Sequence, residues 1–587
     1  MTDSKVSLHM KLNNWHGRIL LVYAAIAVAF IVEVLLNQRG YQDSWILQDI
    51  FFPTILYVLA FSVIAVLLDN NKLIALVCAS FVIVLNAIPN LKYELFYGTF
   101  DSVAHYGYIN NLVSLGHVPN TGFYASSYQD FPGMHIFIGS LSIISGFSIN
   151  VAIKLVTSTI MGIVPLMTYF ATNRGFEPGI QRFIIVASGL PTFMSYALSG
   201  SAFALALYFC IICLILRSLL TENKRQLTIV LLILVFGLLF SHAITTLHLI
   251  SFLLIAVLLL KFLSIKESGV LKSYLKARAL VIGMLMILIV SFAARLTLGS
   301  GKVLEMLTSA AESVLFAQGS GIAPGTFFKV PFSAKVVFLA LSYAMDVVVL
   351  LVSCVGVIVL FVELRHKNRE LYAKFYIFLL SIIATILALL IIQVVSGFST
   401  GYGRLITCSI VLSPFLVGLF LWHINEHFSG SRLGSALIAL LLFSCISISL
   451  IEIFPYQPIV PKANVLSQDL PANEYIFDYR SLNTVYQEDM ILFAQRYSSN
   501  NTRVASDVVT RWQIYGFADD IFINKHIYQS PLESQDLSWD MFLLHYDGKA
   551  GPLNEKVEYR TNERLTELKD TLGNVVYDNG ESFIIVR

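Results

Sequence analysis

Apolar runs recur from near the N-terminus to Phe454. Each is about 15–24 residues long, close to what an α-helix needs to cross a hydrocarbon core about 30 Å thick. The pattern predicts spans near 19–36, 50–68, 72–89, 149–171, 182–197, 200–217, 227–241, 245–264, 279–296, 340–362, 375–395, 405–423 and 433–454. A further run, Pro132–Phe147, is only 16 residues long and rich in Ser and Gly. Beyond Phe454 the pattern changes. Thr484–Tyr497 reads as a helix, and Arg503–Ser506, Ile521–Asn524, Met541–His545 and Val575–Val586 read as strands, the last turned back at Asp578-Asn579-Gly580. The expected fold is a polytopic α-helical membrane protein of about 13 transmembrane helices with a C-terminal soluble α/β domain.

Composition sharpens this picture. Of the 587 residues, 57% are hydrophobic and 13% charged, and the mean hydropathy is +0.74. Soluble domains carry about 25% charged residues, so a soluble enzyme and a disordered chain are both excluded. A net charge of +2 leaves no basis for nucleic-acid binding. Residues 455–587 hold 12 basic and 19 acidic side chains, which marks an acidic, water-soluble tail. Three parts follow: an extra N-terminal pair of spans at 1–71, a transmembrane module at 72–454 with a long loop at 90–131, and the domain 455–587. All six cysteines lie in apolar runs, so no disulfide framework is expected, and Cys210 and Cys213 read as helix-packing residues. The first apolar run lacks a small-residue cleavage site, so no cleaved signal peptide is expected.

Lys and Arg in short loops set direction across a membrane. Lys5, Lys11 and Arg18 put the N-terminus in the cytoplasm. Arg217/Lys224/Arg225, Lys261–Arg278 and Arg365–Lys374 mark further cytoplasmic loops. The loops 90–131 and 298–331 and the tail then fall on the extracytoplasmic side. Phe131 and Arg174 need an odd number of crossings between them, so Pro132–Phe147 reads as an interfacial or re-entrant helix.

The loop Asn90–Phe131 is 42 residues long and crowded with Tyr, His and acidic residues. Ordered loops of that length are usually functional. Within it, Val103, Ile109, Leu112 and Val113 fall at helical spacing, which predicts an amphipathic helix over 101–115 lying on the outer membrane surface. Asp101 and His105, four apart, share one face of it. An Asp at a helix start commonly serves as a cap, and the loop tyrosines also suit an interfacial aromatic belt.

The motifs Asp101-x-x-x-His105, Gly116-His117-Val118-Pro119, Tyr128-x-x-Phe131-Pro132-Gly133-Met134-His135 and Ser241-His242-Ala243-Ile244-Thr245-Thr246 occur in that order. With many spans and a soluble C-terminal domain, this sequence resembles the GT-C superfamily of membrane glycosyltransferases, over about residues 72–454. Two features depart from the superfamily. Asp101 has no acidic neighbour of the Asp-x-Asp or Glu-x-Asp kind, and the tail has no Trp-Trp-Asp. Both argue against metal-dependent oligosaccharyl transfer to asparagine. A divalent metal stays open, without a paired-acid motif to support it, and no residues are assigned as metal ligands or to a cofactor.

The resemblance implies transfer of a sugar from a polyprenyl-phosphate donor to an extracytoplasmic glycan, lipid or protein acceptor, in a cell membrane and with no nucleic-acid partner. The chemistry is compatible. A phosphate leaves readily, so one carboxylate acting as base on the acceptor hydroxyl suffices, whereas glycosidases need two carboxyl groups. Asp101 is the candidate base, with inversion at the anomeric carbon. His105 either orients it or binds the donor phosphate; Asp130 and Glu94 are the other candidate carboxylates. Tyr128, His135 and Tyr402 are candidate substrate contacts.

Arg404 is placed to grip the donor phosphate at the outer start of a span, or else snorkels to headgroups. Arg295 is a second such cation. His242 faces the cavity or packs between helices. Asp346 lies near the outer end of its span and faces the donor channel. A lipid-linked glycan polymerase or ligase, and a transporter or flippase of envelope glycans, are the alternative functions.

Overall fold

The computed structural model describes residues 2–36, 48–92, 100–118, 131–173, 176–190, 199–220, 225–264, 271–298, 349, 351–356, 358, 378–385, 387, 411–428, 432–453, 485–497, 504–506, 541–545, 574–578 and 582–586. The first five helices are α1 (Thr2–Leu36), α2 (Gln48–Leu67), α3 (Asn71–Lys92), α4 (Phe100–Leu115) and α5 (Gly133–Ser145). Next come α6 (Ile149–Thr159) and α7 (Ile163–Thr172), joined by a 3-10 turn at Ile160–Gly162, and α8 (Pro178–Ala187). Then follow α9 (Gly200–Leu220), α10 (Arg225–Leu239), α11 (Ala243–Ser264), α12 (Leu271–Leu298), α13 (Pro414–His427) and α14 (Arg432–Ile453). Helix α15 (Val485–Tyr497) lies in the tail.

Among the described residues, four stretches are long and apolar enough to cross a membrane: Trp15–Leu36, Asn71–Ile88, Ile149–Thr172 and Gly200–Ser218. Shorter apolar helices include Phe52–Leu67, Gln226–Leu239, Ala243–Leu259, Val281–Arg295 and Gly434–Ser447. The expected spans 340–362 and 375–395 are described only in pieces, and 191–197 and 405–410 of two other expected spans lie outside the described residues.

These helices are apolar on all sides, as a chain solvated by lipid requires. One face of each feeds a common core containing Tyr57, Phe61, Phe81, Phe183, Tyr208, Phe209, Phe252 and Phe415. The opposite faces leave Leu21, Phe52, Ile233, Val290 and Leu440 exposed. Small residues set the close approaches. A Cβ on Gly418 of α13 would overlap the Ile184 backbone of α8, and one on Gly162 would lie 2.5 Å from Ile83 of α3. Pro165 lacks the N–H that would continue the α-helical ladder, which fits the 3-10 turn before it.

The N-terminal pair is integral to this core. The Tyr23 and Tyr57 hydroxyls are 2.8 Å apart, and Ser80 of α3 donates to Tyr23 at 3.2 Å. Phe30 stacks on Tyr57, which meets Phe81 at a tilt of 35°, and α2 also packs on α14.

Contacts sort the helix ends into two sets. At one end Arg182 pairs with Asp69 at 2.8 Å, Asn71 donates to Gln181 at 2.7 Å, and Arg217 donates to Asn173 at 2.5 Å. At the other end the Gly133 N–H donates to the Phe240 carbonyl at 2.8 Å, and Gly200 abuts the Ser241–His242 turn. Helix α9 joins the two ends, running from Gly200 to Arg217.

In the tail, β1 (Val504–Ser506), β2 (Met541–His545), β3 (Asn574–Asp578) and β4 (Ser582–Val586) form one sheet in the order β1-β2-β4-β3. Strand β1 runs parallel to β2, the other pairs are antiparallel, and α15 packs against β4 and β2. The strand expected at Ile521–Asn524 lies outside the described residues.

Candidate active site

Four segments meet at the end marked by Gly133 and Phe240. Helix α4 buries Ala104, His105, Tyr108, Ile109 and Leu112, a stripe at helical spacing, against α5 and α6. Its apolar residues are spread evenly around it, so in place of the expected amphipathic surface helix it is a helix clamped between two others. Its partner α5 lets it approach through Gly139, whose Cβ would stand 3.1 Å from Leu112. Asp101 occupies the first turn of α4, one turn ahead of His105.

His105 and His135 face each other across α4 and α5, with Nδ1 of His105 2.9 Å from Nε2 of His135. They are 1% and 0% exposed. The Tyr108 ring sits against His135 at 4.5 Å between centroids. Sequence spacing alone does not bring residue 105 to residue 135; the helix–helix contact does.

Helix α5 starts in a crowded place. A Cβ on Gly133 would lie 2.5 Å from Ser241 Oγ and 2.9 Å from the Phe240 carbonyl oxygen. Only glycine allows that approach, which explains the Pro-Gly at 132–133. Across the turn, His242 caps α11: the Thr245 N–H donates to its Nδ1 at 3.3 Å, and the Thr245 hydroxyl lies 2.9 Å from the same atom. A ring nitrogen that accepts from the backbone holds no proton, so the neutral ring carries its proton on Nε2. Ser199 caps α9, accepting from the Ala202 N–H at 3.1 Å, and a Cβ on the next residue, Gly200, would stand 4.0 Å from His242 Cδ2.

Arg295, in the last turn of α12, completes the cluster. Its guanidinium lies 4.0 Å from the Phe240 ring centroid and 5.4 Å from that of Phe131. Two aromatic rings thus flank the cation. Neither phenylalanine stands out in the sequence as a functional residue. The Phe-Pro-Gly run at 131–133, at the end of the long segment 90–131, is the signal the sequence offers.

The structure thus brings together the α4 turn carrying Asp101 and His105, the His135 helix start, the His242 turn and Arg295. Glu94, Tyr128, Asp130, Asp346, Tyr402 and Arg404 lie outside the described residues. Among the described residues, no group of three or more His, Cys, Asp and Glu is placed to hold a metal ion.

No protein-family model matches the chain. No curated protein matches it either. Among solved structures, it is similar to ArnT from Cupriavidus metallidurans bound to undecaprenyl phosphate, at 10% identity and a TM-score of 0.47 over 88% of this chain and 97% of that one. Apo ArnT from the same organism gives 11% identity and 0.46, over 88% of this chain and 96% of that one. The Archaeoglobus fulgidus oligosaccharyltransferase, in complex with zinc and sulfate, gives 11% identity and 0.40, over 86% of this chain and 72% of that one. With every TM-score below 0.5, the function proposed next rests on this chain's own residues.

Proposed function

We propose that the chain is a membrane glycosyltransferase that moves a sugar from a polyprenyl-phosphate donor to an extracytoplasmic acceptor. The observation that carries this reading is the clustering, at one end of an apolar bundle, of an Asp-bearing helix, three histidines and an aromatic-clasped arginine. Nucleotide sugars are cytosolic, so a site on the far face needs a donor that resides in the bilayer. The cluster lies at helix ends, beside the segment 119–130.

In this reaction Asp101 takes the proton of the acceptor hydroxyl. The acceptor oxygen attacks the anomeric carbon from the face opposite the phosphate. The carbon–oxygen bond to the donor breaks, its electron pair leaves with the polyprenyl phosphate, and the configuration inverts. Arg404 and Tyr402 bind the donor phosphate, and Arg295 adds a second cation. Asp130, then Glu94, are the alternative carboxylates for the base, Tyr128 contacts the substrate, and Asp346 lines the donor channel. No metal step is part of the proposal.

The proposed topology has a cytoplasmic N-terminus and an extracytoplasmic tail, with 13 crossings. The two sets of helix ends support its alternation: 69, 173, 182 and 217 at one end, 133, 200 and 240 at the other. They also support a non-crossing α5. Its 13 residues span about 20 Å, whereas the 24 of Ile149–Thr172 span about 36 Å, enough for the one crossing between Gly133 and Asn173.

The test is transfer by the purified full-length protein in lipid nanodiscs. It is given a panel of polyprenyl-phosphate sugars and, separately, polyprenyl-diphosphate oligosaccharides. Monosaccharide transfer from a monophosphate donor is expected. Transfer from the diphosphate donors alone would make the chain a ligase or polymerase, and no transfer from any of them would remove the glycosyltransferase reading.

A further inference from the structure

A pair of histidines stands at the other end of the bundle, away from the Gly133–Phe240 cluster. A Cβ on Gly179 would lie 3.6 Å from the Trp422 ring, so this end of α13 lies beside the start of α8, at the end marked by Arg182 and Asp69. Here the last turn of α13 reads His423-Ile424-Asn425-Glu426-His427. His423 and His427 are four residues apart and share one helix face. Their rings lie 6.3 Å apart between centroids, at an interplanar angle of 28°. His423 is half-buried and His427 exposed, so both reach solvent. Among the described residues, neither ring makes a hydrogen bond or an ion pair; their contacts are with each other and, for His427, with the edge of Phe428.

Imidazole nitrogen suits zinc, copper and nickel ions. Two histidines four apart on one helix face have the spacing by which helices hold zinc. Metal–nitrogen bonds of about 2.0–2.1 Å bring two coordinated rings to roughly 5 Å between centres. The pair therefore has to close by about 1 Å, which side-chain rotation at a helix end supplies. The last turn of a helix also carries negative potential from its free carbonyls, and that favours a cation nearby.

We propose that His423 and His427 chelate one divalent transition-metal ion of the zinc, nickel or copper class, clipping the last turn of α13. Glu426 adds negative charge in the same turn, but it is not a third ligand, since no group of three such residues is placed to hold a metal among the described residues. Water fills the remaining positions, so the ion exchanges with solvent, unlike one in a closed four-ligand centre. Helix α13 packs on α8 so closely that a Cβ on Gly418 would overlap the Ile184 backbone. Stiffening its last turn thus steadies the α8–α13 joint. This inference does not rest on the glycosyltransferase reading.

The experiment uses the full-length protein in nanodiscs, with any purification tag removed and no chelator in the buffer. Zn²⁺, Ni²⁺, Cu²⁺ and Mg²⁺ are titrated separately by calorimetry. His423→Gln and His427→Gln are compared with wild type and with His117→Gln, a control at an exposed histidine outside the pair. Cu²⁺ should bind most tightly, Ni²⁺ and Zn²⁺ more weakly, and Mg²⁺ not at all. Each variant of the pair should bind Zn²⁺ at least about tenfold more weakly, because a single ligand cannot chelate. His117→Gln should match wild type.

Two further readouts separate a chelate from loose surface binding. With one equivalent of Cu²⁺, electron paramagnetic resonance should show two coupled ring nitrogens in wild type and one in either variant. Zn²⁺ should raise the unfolding midpoint of wild type and leave both variants unmoved. Equal affinity in all four proteins, or a loss shared by His117→Gln, would mean an adventitious ion only. A single nitrogen on wild-type copper would remove the chelate. A wild-type midpoint that Zn²⁺ does not move would remove the clip. If one variant fails to fold, the other variant and the copper spectrum still decide.

Discussion

Gly133 is a residue whose importance is steric and checkable. Its missing side chain lets the α5 start touch the turn at Phe240–Ser241 and accept none of the crowding a Cβ brings. Gly133→Ala should destabilise the protein by about 1–3 kcal/mol, the cost of overpacking a tight contact. Gly179→Ala is the control, because its Cβ would meet Trp422 at an ordinary 3.6 Å. Thermal unfolding of both variants in the same nanodisc reads the difference, and equal midpoints would show that the close approach is not needed. Arg295 makes a second case. Arg295→Ala removes two ring contacts, and a loss of about 1–2 kcal/mol is expected by the same measurement. Arg295 was legible as a cation at a span end. Its clasp between Phe131 and Phe240 was not, since residues 131, 240 and 295 meet only through packing of three separate segments.

At the scale of elements, the joint between α3 and α6 carries a polar core inside the apolar bundle. Asn90 donates through Nδ2 to Thr157 at 3.0 Å and Ser158 at 3.2 Å, and all three are buried. One turn away, neither side-chain atom of the buried Asn86 has a hydrogen-bond partner among the described residues. The two asparagines should therefore respond in opposite ways. Asn90→Ala leaves two hydroxyls short of a partner and should cost about 1–3 kcal/mol. Asn86→Leu removes a desolvated amide and should be neutral or stabilising. Unfolding midpoints that fall equally in both would contradict this assignment.

The lengths and apolar character of α3, α6–α7 and α9 could be read from the sequence, because a helix in lipid needs a long uncharged run. So could the helices α4 and α15 and the strands β2, β3 and β4, the last two joined at the Asp-Asn-Gly turn. The 3-10 turn at Ile160–Gly162 and the pairing of α4 with α5 were not legible. Both depend on which helix lies alongside, and an all-apolar surface carries little periodic signal to say so.

For the whole molecule, the arrangement of ends makes a topological prediction. In a background freed of native cysteines, His117→Cys lies on the proposed outer side and Asp69→Cys on the inner. Both positions are exposed. A membrane-impermeant maleimide should label the first in intact cells and the second only after permeabilisation. Labelling of Asp69→Cys in intact cells would reverse the orientation. The acidic tail, proposed to lie on the outer side, is tested in the same way.

The central claim, an extracytoplasmic carboxylate that drives glycosyl transfer from a lipid carrier, is tested most directly at Asp101. The measurement is release of polyprenyl phosphate from a radiolabelled polyprenyl-phosphate sugar by reconstituted wild type and Asp101→Asn, both shown to unfold at the same temperature. The account predicts turnover by the wild type and a loss of at least about 100-fold in the variant, as expected for removal of a general base. Turnover by Asp101→Asn at the wild-type rate would contradict it.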